Sequence, residues 1–325
     1  MINRVLLYNS GGGLGDAIQI IPLLNTLKNE LKNTKLYYLS AHKNHFDSAL
    51  KDFNIEIQTL NLNIKYFGFR WWHLLIVKKR LKMLNIESFD LIIDLQTKIR
   101  NSLILKIIPH KQFISSTFNF RLSNPKIIIE KENSIIDTVL KAINILLEKN
   151  YKLIQFNIDS INKKFHIESD KLLPNKNYVG LSITQGNVYR KKEWPLENII
   201  KFCKKLLETG KIPVFFIEKK NTEMINQIKS KVSNSLFPEH NSDLTSPALV
   251  TALSSRLEKG ISIDNGIMHM LALAKVPMVV LFGPTNSKKF APNHKNVKIL
   301  DSKKLYKSKD ISKIKVSDVY KEFIF

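Results

Sequence analysis

Short apolar runs alternate with helical patterns along this chain, stop once, and then resume, and that rhythm limits the fold more than any other feature. RVLLYN (4–9) reads as a buried strand, followed by a glycine loop and a helix from about Gly15 to Leu31. LYYLS (36–40) and IEIQTL (55–60) read as further strands, residues 74–85 as an amphipathic helix, and FDLIIDL (89–95) as a strongly apolar strand. Apolar residues at three- and four-residue steps make 134–149 a helix. Strands that alternate with helices predict βαβ units and a parallel sheet.

Between about 150 and 177 the pattern dissolves into polar, Lys- and Asn-rich sequence ending in Pro174-Asn175-Lys176-Asn177, which places a domain boundary there. The alternation then restarts. Strands are expected at 178–183, 213–218, 260–264, 277–283 and 297–300, and helices at 196–209, 221–232, 246–257, from Gly266 and over 316–323. The predicted organisation is a first Rossmann-like domain over 1–165, a second over 175–305, and a C-terminal helix within 306–325 that packs back on the first. Two doubly wound α/β domains of this kind are expected to face each other across a cleft, with ligands at the carboxyl ends of the strands.

Composition narrows the function classes. A single cysteine, Cys203, excludes a disulfide frame and a thiolate zinc site, and suggests a reducing compartment. The opening MINRVLLYNSGGG holds an apolar run too short for a signal peptide. A cytoplasmic protein is expected, with peripheral contact at the inner membrane. The formal charge of +23 is spread over the whole chain. It suits an anionic lipid, a phosphorylated glycolipid or nucleic acid, yet no nucleic-acid module or zinc-finger spacing accompanies it, so no specific nucleic-acid partner is expected.

Four segments could carry chemistry. Ser10 to Asp16, with Gly12, Gly13, Leu14 and Gly15, lies between a strand and a helix, where free N–H groups usually cradle phosphate. The dinucleotide fingerprint and the P-loop both fail here, the first because Asp16 stands where a glycine is needed. Asp16 is instead placed to act as a base at a helix start, or simply to cap that helix. Thr184-Gln185-Gly186-Asn187 could offer donors to a diphosphate, and Lys192 a charge for a leaving phosphate. Trp194-Pro195 would fix the start of the next helix, and a basic surface turn is the plain alternative.

Asp264-Asn265-Gly266 opens another helix, with His269 on its first turns. Asp264 or Asn265 can cap it, the N–H groups at Asn265–Gly266 could receive phosphate, and Asp264 could bind a sugar hydroxyl. Gly283-Pro284-Thr285 ends a strand at the same expected sheet edge and could wrap a base or ribose. Asp90 and Asp94 mark the two ends of the 89–95 strand, and Asp94 and Gln96 could look into the cleft. No Asp-x-Asp occurs, so the usual acidic metal site of nucleotide-sugar enzymes is missing, and no cofactor is expected.

Taken in order, these segments are specific. Gly-Leu-Gly-Asp-x5-Pro (13–22), Asp-x3-Asp-Leu-Gln (90–96), Lys-x-Trp-Pro (192–195), Asp-Asn-Gly-x2-His (264–269) and Phe-Gly-Pro-Thr (282–285) together resemble glycosyltransferase family 9, the ADP-heptose:lipopolysaccharide heptosyltransferases. The resemblance runs from about residue 4 to 300, with nothing diagnostic in 97–175. It implies a GT-B fold, and transfer with inversion and without a metal from an ADP-sugar, heptose by that resemblance, to a lipopolysaccharide-core or related anionic glycolipid acceptor. Asp16 then matches the general base, Lys192 a diphosphate contact, and Asp264, Gly266 and His269 the donor-site turn.

Two positions depart from the family pattern. Asn265 stands where threonine is usual, which would turn a hydroxyl contact into an amide, and Thr184-Gln185-Gly186 replaces Pro-Gly-Ala. A different class of function, a catalytically silent nucleotide- or nucleotide-sugar-binding protein of the same fold, would have no need of an acid at Asp16.

Overall fold

The structure is a computed structural model that describes residues 2–9, 13–41, 44–130, 132, 134–186, 188–292 and 294–323. Ser10, Gly11, Gly12 and Asn187, singled out above, lie outside the described residues. The chain divides into two compact units, Met1–Phe156 and Asn157–Phe325.

The first unit is built from β1 (Arg4–Asn9), α1 (Leu14–Gln19), α2 (Ile21–Glu30), β2 (Lys35–Ser40), β3 (Gln58–Thr59), α3 (His73–Met83), β4 (Phe89–Asp94), α4 (Ile99–Leu105), β5 (His110–Ser115) and α5 (Ile135–Leu147). Its parallel sheet has the order β3-β2-β1-β4-β5, so the winding reverses between β1 and β4. Val5 to Tyr8 on β1 and Leu91 to Ile93 on β4 are all fully buried. Helices on both faces explain why these central strands read as unbroken apolar runs rather than alternating ones.

The second unit holds α6 (Lys163–Leu172), β6 (Tyr178–Ser182), α7 (Leu196–Glu208), β7 (Ile212–Phe215), α8 (Thr222–Lys231), α9 (Pro247–Ser254), β8 (Leu257–Ile263), α10 (Gly266–Leu273), β9 (Met278–Phe282), α11 (Ser287–Phe290), β10 (Val297–Asp301), α12 (Ser302–Tyr306) and α13 (Val316–Phe323). Its parallel sheet runs β10-β9-β8-β6-β7, reversing between β6 and β8. Cys203 is fully buried in this core among Phe202, Leu206 and Phe215, and burial pushes its thiol up, as expected of an inert spectator. No helix among the described residues is long and apolar enough to cross a membrane.

Several expectations are corrected. The helix from Gly15 to Leu31 is two helices, because Pro22 falls in the first turn of α2 and cannot donate back into α1. The strand at 55–60 pairs only over Gln58–Thr59, as an edge next to β2. Residues 157–165 belong to the second unit, and the polar stretch between the halves contains α6, which packs on α9 and buries Phe165 and Ser169. The final helix, expected to pack back on the first domain, turns its apolar face into the second unit's own core, where Val319 and Phe323 are buried and Phe323 meets Phe202 edge-on at 5.3 Å. Its apolar spacing reveals a buried face but carries no address for the core that receives it.

Candidate functional site

In open doubly wound sheets, ligands bind beyond the carboxyl ends of the strands where the winding reverses. In the first unit that edge is formed by the ends of β1 and β4, Asn9 and Asp94, which lead to Gly13–Asp16 and to Gln96. Gly13, with extended backbone, occupies the N-cap of α1 and offers no side-chain cap, so Asp16 is a first-turn acid and not the cap. Asp16 is half-buried, and its negative charge, second to burial, helps to push the buried Tyr38 phenol up. A side chain at Gly13 would place its Cβ 3.3 Å from the Asp16 carboxylate, so the glycine keeps that oxygen uncrowded.

A short relay holds this helix start. Gln96 Nε2 donates to Asn9 Oδ1, and Asn9 Nδ2 donates to the Asp16 carbonyl oxygen at 3.1 Å. Gln96 therefore braces the acid's backbone. Leu14 and Gly15 form the first turn of α1. Asp94 does not look outward as expected. It is fully buried, and its carboxylate accepts from Ser102 Oγ at 2.6 Å, Ser115 Oγ at 3.1 Å and the Gln96 N–H at 2.9 Å. Burial pushes its carboxyl up to about 7, against the pull of those three donors. Asp90, at the other end of β4, accepts from the backbone N–H groups of Asn3 and Arg4 and pairs with Lys111, which stitches the sheet's opposite edge.

In the second unit the reversal edge lies between β6 and β8, and three predicted segments converge on it. Lys192 is not a surface residue. It is buried, its Nζ donates to the Asp264 carbonyl oxygen at 2.5 Å and to Asp264 Oδ2 at 3.0 Å, and both side chains are about a tenth exposed. The ammonium is thus held 72 positions from its own segment in sequence, at the end of β8. Gln185 Oε1 accepts the Lys192 N–H at 2.7 Å, so its amide shapes the loop. Trp194 is buried and anchors through its indole N–H to the Ile314 carbonyl at 2.8 Å.

Asn265 is the N-cap of α10, with Oδ1 accepting the Met268 N–H at 3.0 Å. Its Nδ2 donates to Ser182 Oγ at 2.7 Å and to the Thr184 carbonyl at 2.9 Å. The side chain is committed to tying the β6 loop to α10, which corrects the expectation that its amide replaces a threonine hydroxyl toward a ligand. Gly266 is the first residue of α10, one turn before the buried His269. Desolvation, aided by Lys192 and opposed by Asp264, lowers the imidazole to about 4, so it is neutral near pH 7.

Beyond β9, Gly283 is required by packing, since a Cβ there would lie 2.9 Å from Ile311 Cβ and 3.0 Å from the Lys309 carbonyl. Pro284 is half-buried, and the Thr285 hydroxyl is buried with no hydrogen-bond partner among the described residues. An orphaned buried hydroxyl costs free energy unless something supplies its partner, and a bound ligand would do so.

The sequence reading passed over one pair at the neighbouring strand end. Glu218 follows β7, and the half-buried Glu239 carboxyl is pushed up to about 7, by desolvation first and by Glu218 second. The only sequence signal was an acid closing the apolar run PVFFIE; nothing local points to its partner.

Known proteins show the same fold throughout the chain. A glycosyltransferase of family 9 from Veillonella parvula superposes with a TM-score of 0.71 at 18% identity, covering 99% of this chain and 96% of that one. The E. coli heptosyltransferase WaaC with ADP gives 0.68 at 14% identity, covering 98% of each chain. E. coli ADP-heptose lps heptosyltransferase II gives 0.65 at 15%, covering 99% of this chain and 97% of that one. These proteins have the GT-B fold, as do the two units here. No curated protein matches the chain in sequence. The family model described as glycosyltransferase family 9 (heptosyltransferase) matches residues 77–321. The match takes in the Lys192–Asp264 pair, the α10 cap and the Thr285 turn, and the chain belongs to glycosyltransferase family 9, as a glycosyltransferase.

Proposed function

We propose that this glycosyltransferase inverts the anomeric carbon of an ADP-sugar, a heptose by family, as it transfers the sugar to a lipopolysaccharide-core or related anionic glycolipid, in the cytoplasm and without a metal. The observation that carries the reading is the Lys192 ammonium, buried against Asp264 at the β6/β8 reversal beside the start of α10. A departing diphosphate needs positive charge that is already in place, and a buried lysine next to free helix N–H groups supplies it at little reorganisation cost.

The first unit supplies the other half of a single displacement. Asp16 takes the proton of the acceptor hydroxyl as that oxygen bonds to the anomeric carbon. The bond from that carbon to the diphosphate oxygen breaks on the opposite side, and its electron pair stays with the diphosphate facing Lys192. Asp264 has one carboxylate oxygen bonded to Lys192 and can accept a sugar hydroxyl with the other. Thr285, Gly266 and the backbone of 184–185 complete the donor pocket, while neutral His269 can donate or accept without competing for the phosphate charge.

The test uses a panel of ADP- and UDP-sugars. The ligand of the site raises the melting temperature by mass action, and transfer to a core glycolipid is then followed with and without EDTA. ADP-sugars are expected to stabilise, and activity to survive EDTA. Stabilisation by UDP-sugars alone would reject the donor assignment, and activity that is lost with EDTA and restored by magnesium or manganese would reject the leaving-group chemistry.

A further inference from the structure

Away from the two strand edges, residues 66–84 of the first unit combine exposed aromatics, exposed aliphatics and positive charge. On α3, His73, Val77 and Leu81 are buried, so one face of the helix already belongs to the core. The outer face mixes exposed apolar side chains with lysines: Trp72, at the N-cap, is 59% exposed, Leu75 72% and Met83 64%. At 100° per residue, Trp72, Ile76, Lys79 and Met83 share one stripe, with Leu75 and Lys82 on one flank and Arg80 on the other. The preceding loop adds Trp71, 51% exposed, and the exposed rings of Tyr66 and Phe69, which meet each other edge-on.

This exposure is held in place. Phe67 is buried, and Tyr8 Oη donates to its carbonyl at 3.1 Å. Gly68, at φ +79, donates to His73 Nδ1 at 3.1 Å and accepts from Arg100 Nε at 2.6 Å. A Cβ on Gly68 would sit 2.7 Å from the Tyr8 hydroxyl, so the turn that carries the two tryptophans demands glycine. The chain thus anchors the loop's backbone while turning its largest apolar side chains outward.

We propose that the 66–72 loop and the outer face of α3 form a docking surface for an anionic lipid bilayer. Charge selects this partner. From 64 to 86 the sequence carries Lys65, Arg70, Lys78, Lys79, Arg80 and Lys82, and no acid. Tryptophans, aliphatics and flanking cations together suit the headgroup boundary, where the rings and Leu75 enter the acyl region and the lysines reach phosphate. A second copy fits poorly, because an isologous contact would bring two such basic faces together. Single-stranded nucleic acid would use the rings and the charge but not Leu75 and Met83. The inference does not depend on the transferase reading, since binding to a bilayer is measured without any sugar.

The chain reports on itself, because its third tryptophan, Trp194, is buried. Vesicles of phosphatidylcholine with a quarter phosphatidylglycerol should shift the tryptophan emission to the blue and co-sediment with the protein, and phosphatidylcholine alone should bind far less. Trp72→Ser/Leu75→Ser should abolish the blue shift, with the circular dichroism spectrum retained. Lys78→Gln/Lys79→Gln/Lys82→Gln should weaken vesicle binding about 100-fold at low salt. Lys219→Gln/Lys220→Gln/Lys229→Gln, the same charge removed from the second unit, should change it by less than about threefold if the surface is specific.

Three results would overturn the proposal. The wild type fails to bind the anionic vesicles. The two lysine triples weaken binding equally, which would leave only diffuse charge. Sedimentation shows a dimer that Trp72→Ser/Leu75→Ser dissolves, which would make the face a contact between copies. A test of the donor site can fail or succeed independently of all three.

Discussion

Replacing Lys192 by methionine keeps most of the side-chain volume and removes the ammonium, and the structure sets what this should cost. Nζ donates to Asp264 Oδ2 and to the Asp264 carbonyl, with both side chains about a tenth exposed. Removing one partner of a buried pair leaves an uncompensated carboxylate and costs about 3–5 kcal/mol. The small remaining exposure puts this pair near the low end. Loss of a charge-assisted bond to phosphate should independently cost donor affinity about 1.5–3 kcal/mol, or roughly 10- to 150-fold.

The two effects separate in Lys192→Met/Asp264→Asn, which leaves no stranded charge. Urea unfolding should then return to within about 2 kcal/mol of wild type, while ADP binding by calorimetry stays weak. Wild-type ADP affinity in a destabilised Lys192→Met protein would make the lysine a structural strut and refute the leaving-group role. Unchanged stability in the single variant would show that the buried pair does not operate in solution.

Asp16→Asn should lower transfer by about 100- to 10,000-fold, because an amide cannot take the acceptor's proton, and should leave ADP affinity unchanged; near-normal turnover in a folded variant would remove the base assignment. Asp94 binds its proton more tightly folded than unfolded, so its contribution is full below about pH 4 and is lost as pH rises through about 7. Wild-type stability should therefore fall by up to about 4 kcal/mol across that window, and Asp94→Asn should flatten the profile; parallel profiles for the two proteins would show that Asp94 is ionised throughout. Asn265→Ala removes the α10 cap and the tie to Ser182 and Thr184 and should cost about 2 kcal/mol in urea unfolding; a threonine there that stabilised as well as asparagine would show that the cap alone matters.

The α/β class, the two-part organisation and the family motifs could all be read from the sequence, because each rests on local order. Continuous apolar runs such as VLLY (5–8) mark strands covered on both faces, and glycine, aspartate and proline mark the turns beyond them whatever the rest of the chain does. The same locality placed Asn265 at a helix start, Gly266 behind it and Asp16 in a first turn. Only the tertiary structure decided which side chains meet. Lys192 reads as one cation among many in RKKEW until the β6/β8 crossover carries it to Asp264. Asp94, which the strand pattern left at an exposed end, is enclosed by Ser102 and Ser115 from elements that follow it in sequence. Asn265 looked available to a ligand until Ser182 and Thr184 claimed its amide. Chain order fixes whether a segment is strand, turn or helix. Burial, partners and charge state arise from segments brought together across tens of residues, and no local pattern encodes those meetings.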